Sequence, residues 1–283
     1  MKTIFISILL SLTLAASVFS AEPVSPPRRI ITLAPNVTEI VYALGLGENI
    51  IGDTSYCDYP EAAKKKPKVG GMSNPSLEAV VSLKPDLVVM TTDGNPREVQ
   101  ERLESLRIRT YVFEARRLSE LAKGVRDLGR ALGVEEQGES LARDIEAGLR
   151  QASARRGGTA AAHRKILFIV WPEPLIVAGP HTVIDDALAL LGQINIAATA
   201  KTEYPKYSVE EVIRQAPDVL FIGKSMGMDM RGVSRGFLDR MQSVPAVRNG
   251  NVFFLSDRLF RLGPRVLTGI DEMAADLELA KAK

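Results

Sequence analysis

Cysteine, histidine and tryptophan are all scarce in this chain of 283 residues. There is one cysteine, Cys57, two histidines, His163 and His181, and one tryptophan, Trp171. A lone cysteine excludes an intramolecular disulfide. Two histidines in separate segments do not make a zinc or manganese site, which recruits several His, Asp or Glu ligands. No Gly-x-Ser-x-Gly elbow, Gly-x-Gly-x-x-Gly fingerprint or Walker-type phosphate loop is present. The common nucleophile and nucleotide chemistries therefore have no carrier. Gly45-Leu46-Gly47 follows a predicted helix instead of a strand, which is the wrong context for a dinucleotide. An excess of one charge is also missing, with 36 Lys and Arg against 34 Asp and Glu. Nothing here builds the basic field that nucleic acid or an anionic membrane surface requires. The expectation is a chain without catalytic residues, metal or cofactor.

Long hydrophobic runs are confined to the first twenty residues. Lys2 precedes an apolar stretch from Ile4 to Val18, and Ser20-Ala21 follows with small side chains. This reads as a secretory leader cleaved between Ser20 and Ala21. The run is shorter than the roughly 20 residues of a membrane span, and Pro23, Pro26 and Pro27 come soon after it. No cysteine follows the leader to take a lipid, so the mature chain is expected free in a periplasm. Its 46% hydrophobic and 25% charged residues suit a soluble globular protein, and its length suits two domains.

Short β-branched runs alternate with helical patterns over most of the mature chain, which predicts parallel α/β sheets. Arg29 to Ala34 reads as a strand turned by Pro35 and Asn36, with a helix from Thr38 to Leu44 ending at Gly45. Ile50 to Gly52, Leu87 to Met90 and Thr110 to Phe113 are further strands, and a helix is expected near Pro96 to Leu106. From Ser119 to about Arg155 apolar residues keep helical spacing. Gly133 is expected to divide this stretch into two helices, the second being a rigid spacer about 30 Å long. Beyond it lie strands at Lys165 to Trp171, Leu175 to Ala178 and Asn251 to Asp257, and helices at Val183 to Leu191 and from about Pro264. The boundaries read from this pattern are a leader at 1–20, an N-terminal lobe at 21–118, bridging helices at 119–160 and a C-terminal lobe at 161–283. The fold expected is two Rossmann-like α/β lobes with central sheets, bridged by a single long helix.

The segment from Ser76 to Met90 is restated from Ser208 to Ile222. Ser, Glu, Val, Pro and Asp stand at matching positions (Ser76 and Ser208, Glu78 and Glu210, Val80 and Val212, Pro85 and Pro217, Asp86 and Asp218). Ser and Glu also suit any helix start, where orphan N–H groups and the positive dipole end favour them. Each copy, however, precedes a buried strand in an α/β block, which points to two similar lobes. Loops rich in aromatic and polar residues follow the predicted strands at Ser55 to Pro60, Trp171 to Pro174, Glu203 to Tyr207 and Asp257 to Arg261. In open α/β sheets ligands bind outside the carboxyl ends of the strands, so facing lobes would close these loops around one concave site.

Arg29 to Glu39, Ser55-Tyr56-Cys57-Asp58-Tyr59-Pro60, Asn74 to Glu78 and Lys84-Pro85-Asp86 together resemble the helical-backbone substrate-binding proteins of ABC importers. The likeness continues through Ala178-Gly179, Ile184-Asp185, Asn195-Ile196 and Ser208 to Glu210 as far as Gly263-Pro264-Arg265, nearly the whole mature chain. The resemblance implies a receptor without covalent chemistry that is monomeric and periplasmic. It would capture cobalamin or a related corrinoid and deliver it to a permease dimer at the inner membrane. A ferric siderophore or haem is the alternative ligand. A periplasmic enzyme handling a tetrapyrrole is a more distant reading, with His181 as its one candidate base. By the same resemblance Tyr56, Met72, Trp171, Tyr204, Asp257 and Arg261 would line the ligand site. Met72 stands where the cobalamin-binding branch carries tryptophan, which costs a stacking surface. Glu78 and Glu210 would dock onto arginines of the permease, and Cys57 would be a small neutral filler.

Overall fold

The computed structural model describes residues 26–154, 163–224 and 229–281. The predicted leader and the Arg155 to Gly158 end of the spacer lie outside them. The N-terminal lobe carries four parallel strands, β1 (Ile30–Thr32), β2 (Ile50–Asp53), β3 (Leu87–Thr91) and β4 (Thr110–Phe113), in the order β2-β1-β3-β4. Helices α1 (Pro35–Ala43), α2 (Glu61–Lys64), α3 (Leu77–Ser82) and α4 (Arg97–Ser105) connect them. β1 and β3 are buried along their whole length, as the inner strands of a parallel sheet covered on both faces should be. Pro35 and Asn36 do not turn the chain as expected. Pro35 opens α1 at its first position, where the missing N–H costs nothing and the fixed φ suits the helix.

Two helices form the bridge, α5 (Leu118–Ala131) and α6 (Glu135–Ala154). Gly133 breaks them apart at φ +70°, a conformation that side chains resist. The helices fold back on each other at a contact between Gly129 and Gly138. A Cβ on Gly129 would stand 2.8 Å from Gly138 Cα, so neither position accepts a side chain.

The C-terminal lobe carries β5 (Lys165–Pro172), β6 (Leu175–Val177), β7 (Ile194–Asn195), β8 (Val219–Gly223) and β9 (Val252–Leu255). The path is β6-β5-β8-β9, and β7 pairs with the first two residues of β5. β6 is antiparallel to β5, a departure from the all-parallel expectation. Only Glu173 and Pro174 separate the two strands, and so short a link can join antiparallel neighbours but not parallel ones. Helices α7 (Val183–Leu190), α8 (Val209–Gln215), α9 (Met230–Asp239), α10 (Pro245–Arg248) and α11 (Val266–Leu279) complete the lobe. α6 packs against α11 where Gly148 meets Leu267. One apolar cluster then runs from Ile30 and Ile40 through Val125 and Ile145 to Phe168, Leu188 and Ile270. The lobes therefore share a core, which opposes large motions of one against the other.

The sequence repeat has a matching structural repeat. Ser76 accepts the Ala79 N–H and Ser208 the Glu211 N–H, each at 3.2 Å. Val80 and Val212 are fully buried. Lys84 and Ala216, each just before the shared proline, take left-handed φ of 48° and 50°. The Asp86 carboxylate accepts the N–H groups of Arg28 and Arg29, and that of Asp218 accepts the N–H of Lys165. Each aspartate thus latches its unit to the chain entering the neighbouring strand, β1 or β5. The Glu210 carboxylate accepts from its own N–H and from Ser208 at the helix start, which lowers it below its usual range. Glu78 and Glu210 are exposed, and among the described residues neither has an ion-pair partner.

Candidate functional site

The carboxyl ends of the strands from both lobes meet at two adjoining cavities of about 250 and 340 Å³. Tyr56, Met72, Asp257 and Arg261 line the first, Trp171 and Tyr204 the second, and Asp93, Lys224 and Phe260 both. The shared walls make the two one trough. All six cleft residues expected from the sequence border it. Tyr56 and Tyr204 each keep 47% of their surface exposed, an uncovered aromatic area on each lobe of the kind that marks binding surfaces.

Local structure fixes each side chain. Met72 lies across Gly94, whose φ is +104° and where an added Cβ would be 2.6 Å from the Met72 methyl group. Asn95 holds the same region by donating to Leu33 O and Met72 O at 2.9 and 2.8 Å and accepting the Thr91 N–H at 2.8 Å. Trp171 is oriented by its indole N–H, which donates to Glu173 O at 2.8 Å. The loop bearing Tyr56 rests on Cys57, buried beneath it with its sulfur 3.1 and 3.2 Å from the Thr38 and Thr54 hydroxyls. Burial raises the Cys57 thiol above its usual range. It stays neutral and borders neither cavity.

Arg261 is placed differently from an arginine reaching for a ligand. Only 9% of it is exposed, and its guanidinium lies 2.5 Å from Asp58, 2.5 Å from Asp257 and 3.4 Å from Glu39. Burial alone would raise Asp58, yet the hydrogen bond and charge of Arg261 hold it below the usual carboxylate range. Arg265 joins the cluster through Nε, which donates to Glu39 at 2.9 Å, and its guanidinium lies 3.9 Å from the centre of the Tyr59 ring. Glu39, Asp58 and Tyr59 belong to the N-terminal lobe, and both arginines to the C-terminal lobe. Near the Tyr204 end of the trough Arg116 donates to Glu203 at 3.0 and 3.1 Å, and Arg117 to Asp186 at 2.8 Å. The lobes are thus tied by ion pairs near both ends of the trough.

Asp93, Lys224 and Phe260 were not among the expected site residues. Asp93 follows β3 and Lys224 directly follows β8, so the carboxyl-end rule applied to every strand would have found both. Burial raises Asp93, with Glu203 adding to the effect and Arg116 opposing it. Burial, Asp93 and Glu203 push the Tyr204 phenol up to about 12. His181 contacts Arg117 through Nδ1 at 3.2 Å and borders neither cavity. Among the described residues no three His, Cys, Asp or Glu side chains gather as a metal site would require. No helix among them is long and apolar enough to cross a membrane.

Comparison with known proteins gives a consistent set of relatives. Residues 30–259 match the periplasmic binding protein family. The vitamin B12-binding protein of Vibrio parahaemolyticus serotype O3:K6 is 30% identical over 259 residues, covering 91% of this chain and 92% of its own length. The crystal structure of the periplasmic vitamin B12 binding protein of Vibrio cholerae superposes with a TM-score of 0.79 at 28% identity, covering 91% of this chain and 99% of that one. The periplasmic haem-binding protein of Roseiflexus sp. RS-1, in its apo form, gives 0.82 at 30% identity, covering 89% and 98%.

Proposed function

The chain belongs to the periplasmic binding protein family, and we propose that its trough captures cobalamin or a related corrinoid for delivery to an ABC importer. The observation that carries this reading is the trough's make-up. Aromatic faces from both lobes (Tyr56, Trp171 and Tyr204) surround polar groups that add no surplus positive charge. Arg261 is matched by three carboxylates. Lys224 is left as a cation with no carboxylate within ion-pair distance among the described residues, and Asp93 and Asp257 share its walls. Haem carries two propionates and calls for cations. A corrinoid is edged with carboxamides, whose N–H groups suit Asn36, Asp93 and Asp257 as acceptors and whose carbonyls suit Lys224.

The haem-binding relatives make haem, or a ferric siderophore, the second reading. Calorimetric titration of the mature protein with cyanocobalamin, cobinamide, haemin and a ferric siderophore decides between them. Heat is expected with the corrinoids. Silence with both corrinoids and binding of haemin would transfer the assignment to haem.

In this reading the leader directs the chain to the periplasm and is removed after Ser20. The mature monomer carries out no covalent chemistry, and it meets a two-fold permease at the inner membrane through Glu78 and Glu210. Two exposed carboxylates in equivalent places on two lobes offer paired, charge-assisted contacts to arginines of a symmetric partner. Replacing both by alanine is expected to weaken binding to the permease complex at least tenfold, as measured by surface plasmon resonance, with corrinoid titration unchanged. Lost corrinoid affinity would place the glutamates in the pocket instead.

A further inference from the structure

The structural repeat extends to a pair of residues that the sequence identities do not include. Val81 on α3 and Ile213 on α8 stand at equivalent positions, three residues after Glu78 and Glu210. They are 42% and 40% exposed. Residues three apart share a helix face, so each lobe displays a carboxylate with an aliphatic side chain beside it. Single exposed aliphatics are ordinary on protein surfaces. Two at equivalent places with nearly equal exposure, each beside a glutamate without an ion pair, make a patterned surface. On α8 Arg214 is held by Glu211 at 2.9 and 2.6 Å, and Arg240, the cation whose charge reaches Glu210, lies 4.0 Å from Glu173. Glu210 and Ile213 are both exposed.

We propose that Val81 and Ile213 are the apolar anchors of the docking surface, each entering a shallow apolar pocket beside a cation on one of two symmetry-related membrane subunits. The proposal rests on the docking reading above and adds to it a second contact on each lobe. The chemistry of the two patches identifies the occupant. Paired carboxylates require a basic partner, and duplicated, equally exposed patches on two like lobes require a partner with two-fold symmetry. The aliphatic groups give the charged contacts a desolvated neighbour, the setting in which interface residues contribute most.

The test uses the permease–ATPase complex of the corrinoid importer from the same organism, held in nanodiscs, and the full mature protein. Val81→Ser and Ile213→Ser are each expected to weaken binding roughly fivefold, by similar factors, and the double variant roughly thirtyfold. Corrinoid titration and melting temperature should stay at wild-type values, because both side chains are already exposed. Glu78→Ala with Glu210→Ala is measured in parallel. If that pair weakens docking and the Val81/Ile213 double variant does not, the anchors are refuted and the docking reading stands. If only one of the two single serine variants matters, the symmetric anchor is refuted. If neither double variant weakens docking, the docking reading itself fails and the anchors with it.

Discussion

Glu39→Gln is expected to lower the stability of the protein by about 3 kcal/mol. On the scale usual for chains of this size, the thermal midpoint should fall by roughly 6–10 °C. Glu39 is 3% exposed and lies in α1, where it receives Arg265 and Arg261 from the opposite lobe. Removing one partner of a buried ion pair costs more than the pair itself contributes, because the remaining charge keeps its desolvation cost without compensation. Arg261 retains Asp58 and Asp257, so the larger loss falls on Arg265, whose side chain is 18% exposed. The amide keeps the shape of the carboxylate, which separates the loss of charge from a packing defect. Glu61→Gln is the control. Its partner Lys64 and Glu61 itself are both exposed, and surface pairs of this kind contribute little, so its midpoint should stay within error of wild type. Corrinoid affinity should also fall in Glu39→Gln, since the cluster sets the spacing of the trough walls. An unchanged midpoint would show that the Glu39 charge adds nothing to the hold that the shared apolar core and the remaining ion pairs supply.

The elements the sequence disclosed are those whose evidence is local. β1, β3, β5 and β8 are buried runs of branched residues, and the Ser…Pro-Asp pattern repeats because each lobe solves the same capping and latching problem. Tyr56, Trp171 and Tyr204 were visible because large aromatics stand out in polar loops. Local pattern said nothing of the partners Arg261 takes from the other lobe, since Asp58 and Glu39 are 203 and 222 positions away. A charged side chain is read as solvated until a counter-ion from another element buries it. β7 has two residues, too few for periodicity to register. α9 contains Gly232 and Gly236, which depress helix propensity. Asp93 and Lys224 escaped notice because single charged residues after strands look like ordinary loop residues until the opposing lobe is in place.

Lys68→Met is expected to cost about 3 kcal/mol at neutral pH and much less in acid. The Lys68 ammonium donates to Asp53 Oδ1 at 2.6 Å, to Cys57 O at 3.1 Å and to Ala63 O at 2.9 Å, which uses all three of its protons. These contacts pin both ends of the loop that carries Tyr56, Asp58 and Tyr59. Asp53 closes β2 with no exposed surface, and its Oδ2 has no hydrogen-bond partner among the described residues. Burial pushes it up to about 6, with the hydrogen bond and charge of Lys68 holding it from rising further. The folded chain therefore binds this proton more tightly than the unfolded chain, whose value is near 3.8. Wild-type stability should decline as pH rises from about 4 through about 6 and then level off as far as this group is concerned. Without Lys68 the folded value moves higher, and the decline continues towards neutrality. Urea unfolding should then show a small gap between wild type and variant at pH 5 and a wide one at pH 8. Adding Asp53→Asn to Lys68→Met removes the uncompensated charge and should flatten that dependence, while Cys57 O still lacks its donor and Ala63 O keeps only the Lys66 N–H. A gap of equal size at both pH values would mean that the loop is held by the carbonyl contacts and that the charge on Asp53 has no part in it. Corrinoid affinity separates the two roles of Lys68. It should remain weakened in the double variant, because the Lys68 contacts to Cys57 O and Ala63 O that steady the loop under Tyr56 are gone, leaving only the backbone pairing of Asp53 and Ser55 with residues 67–70.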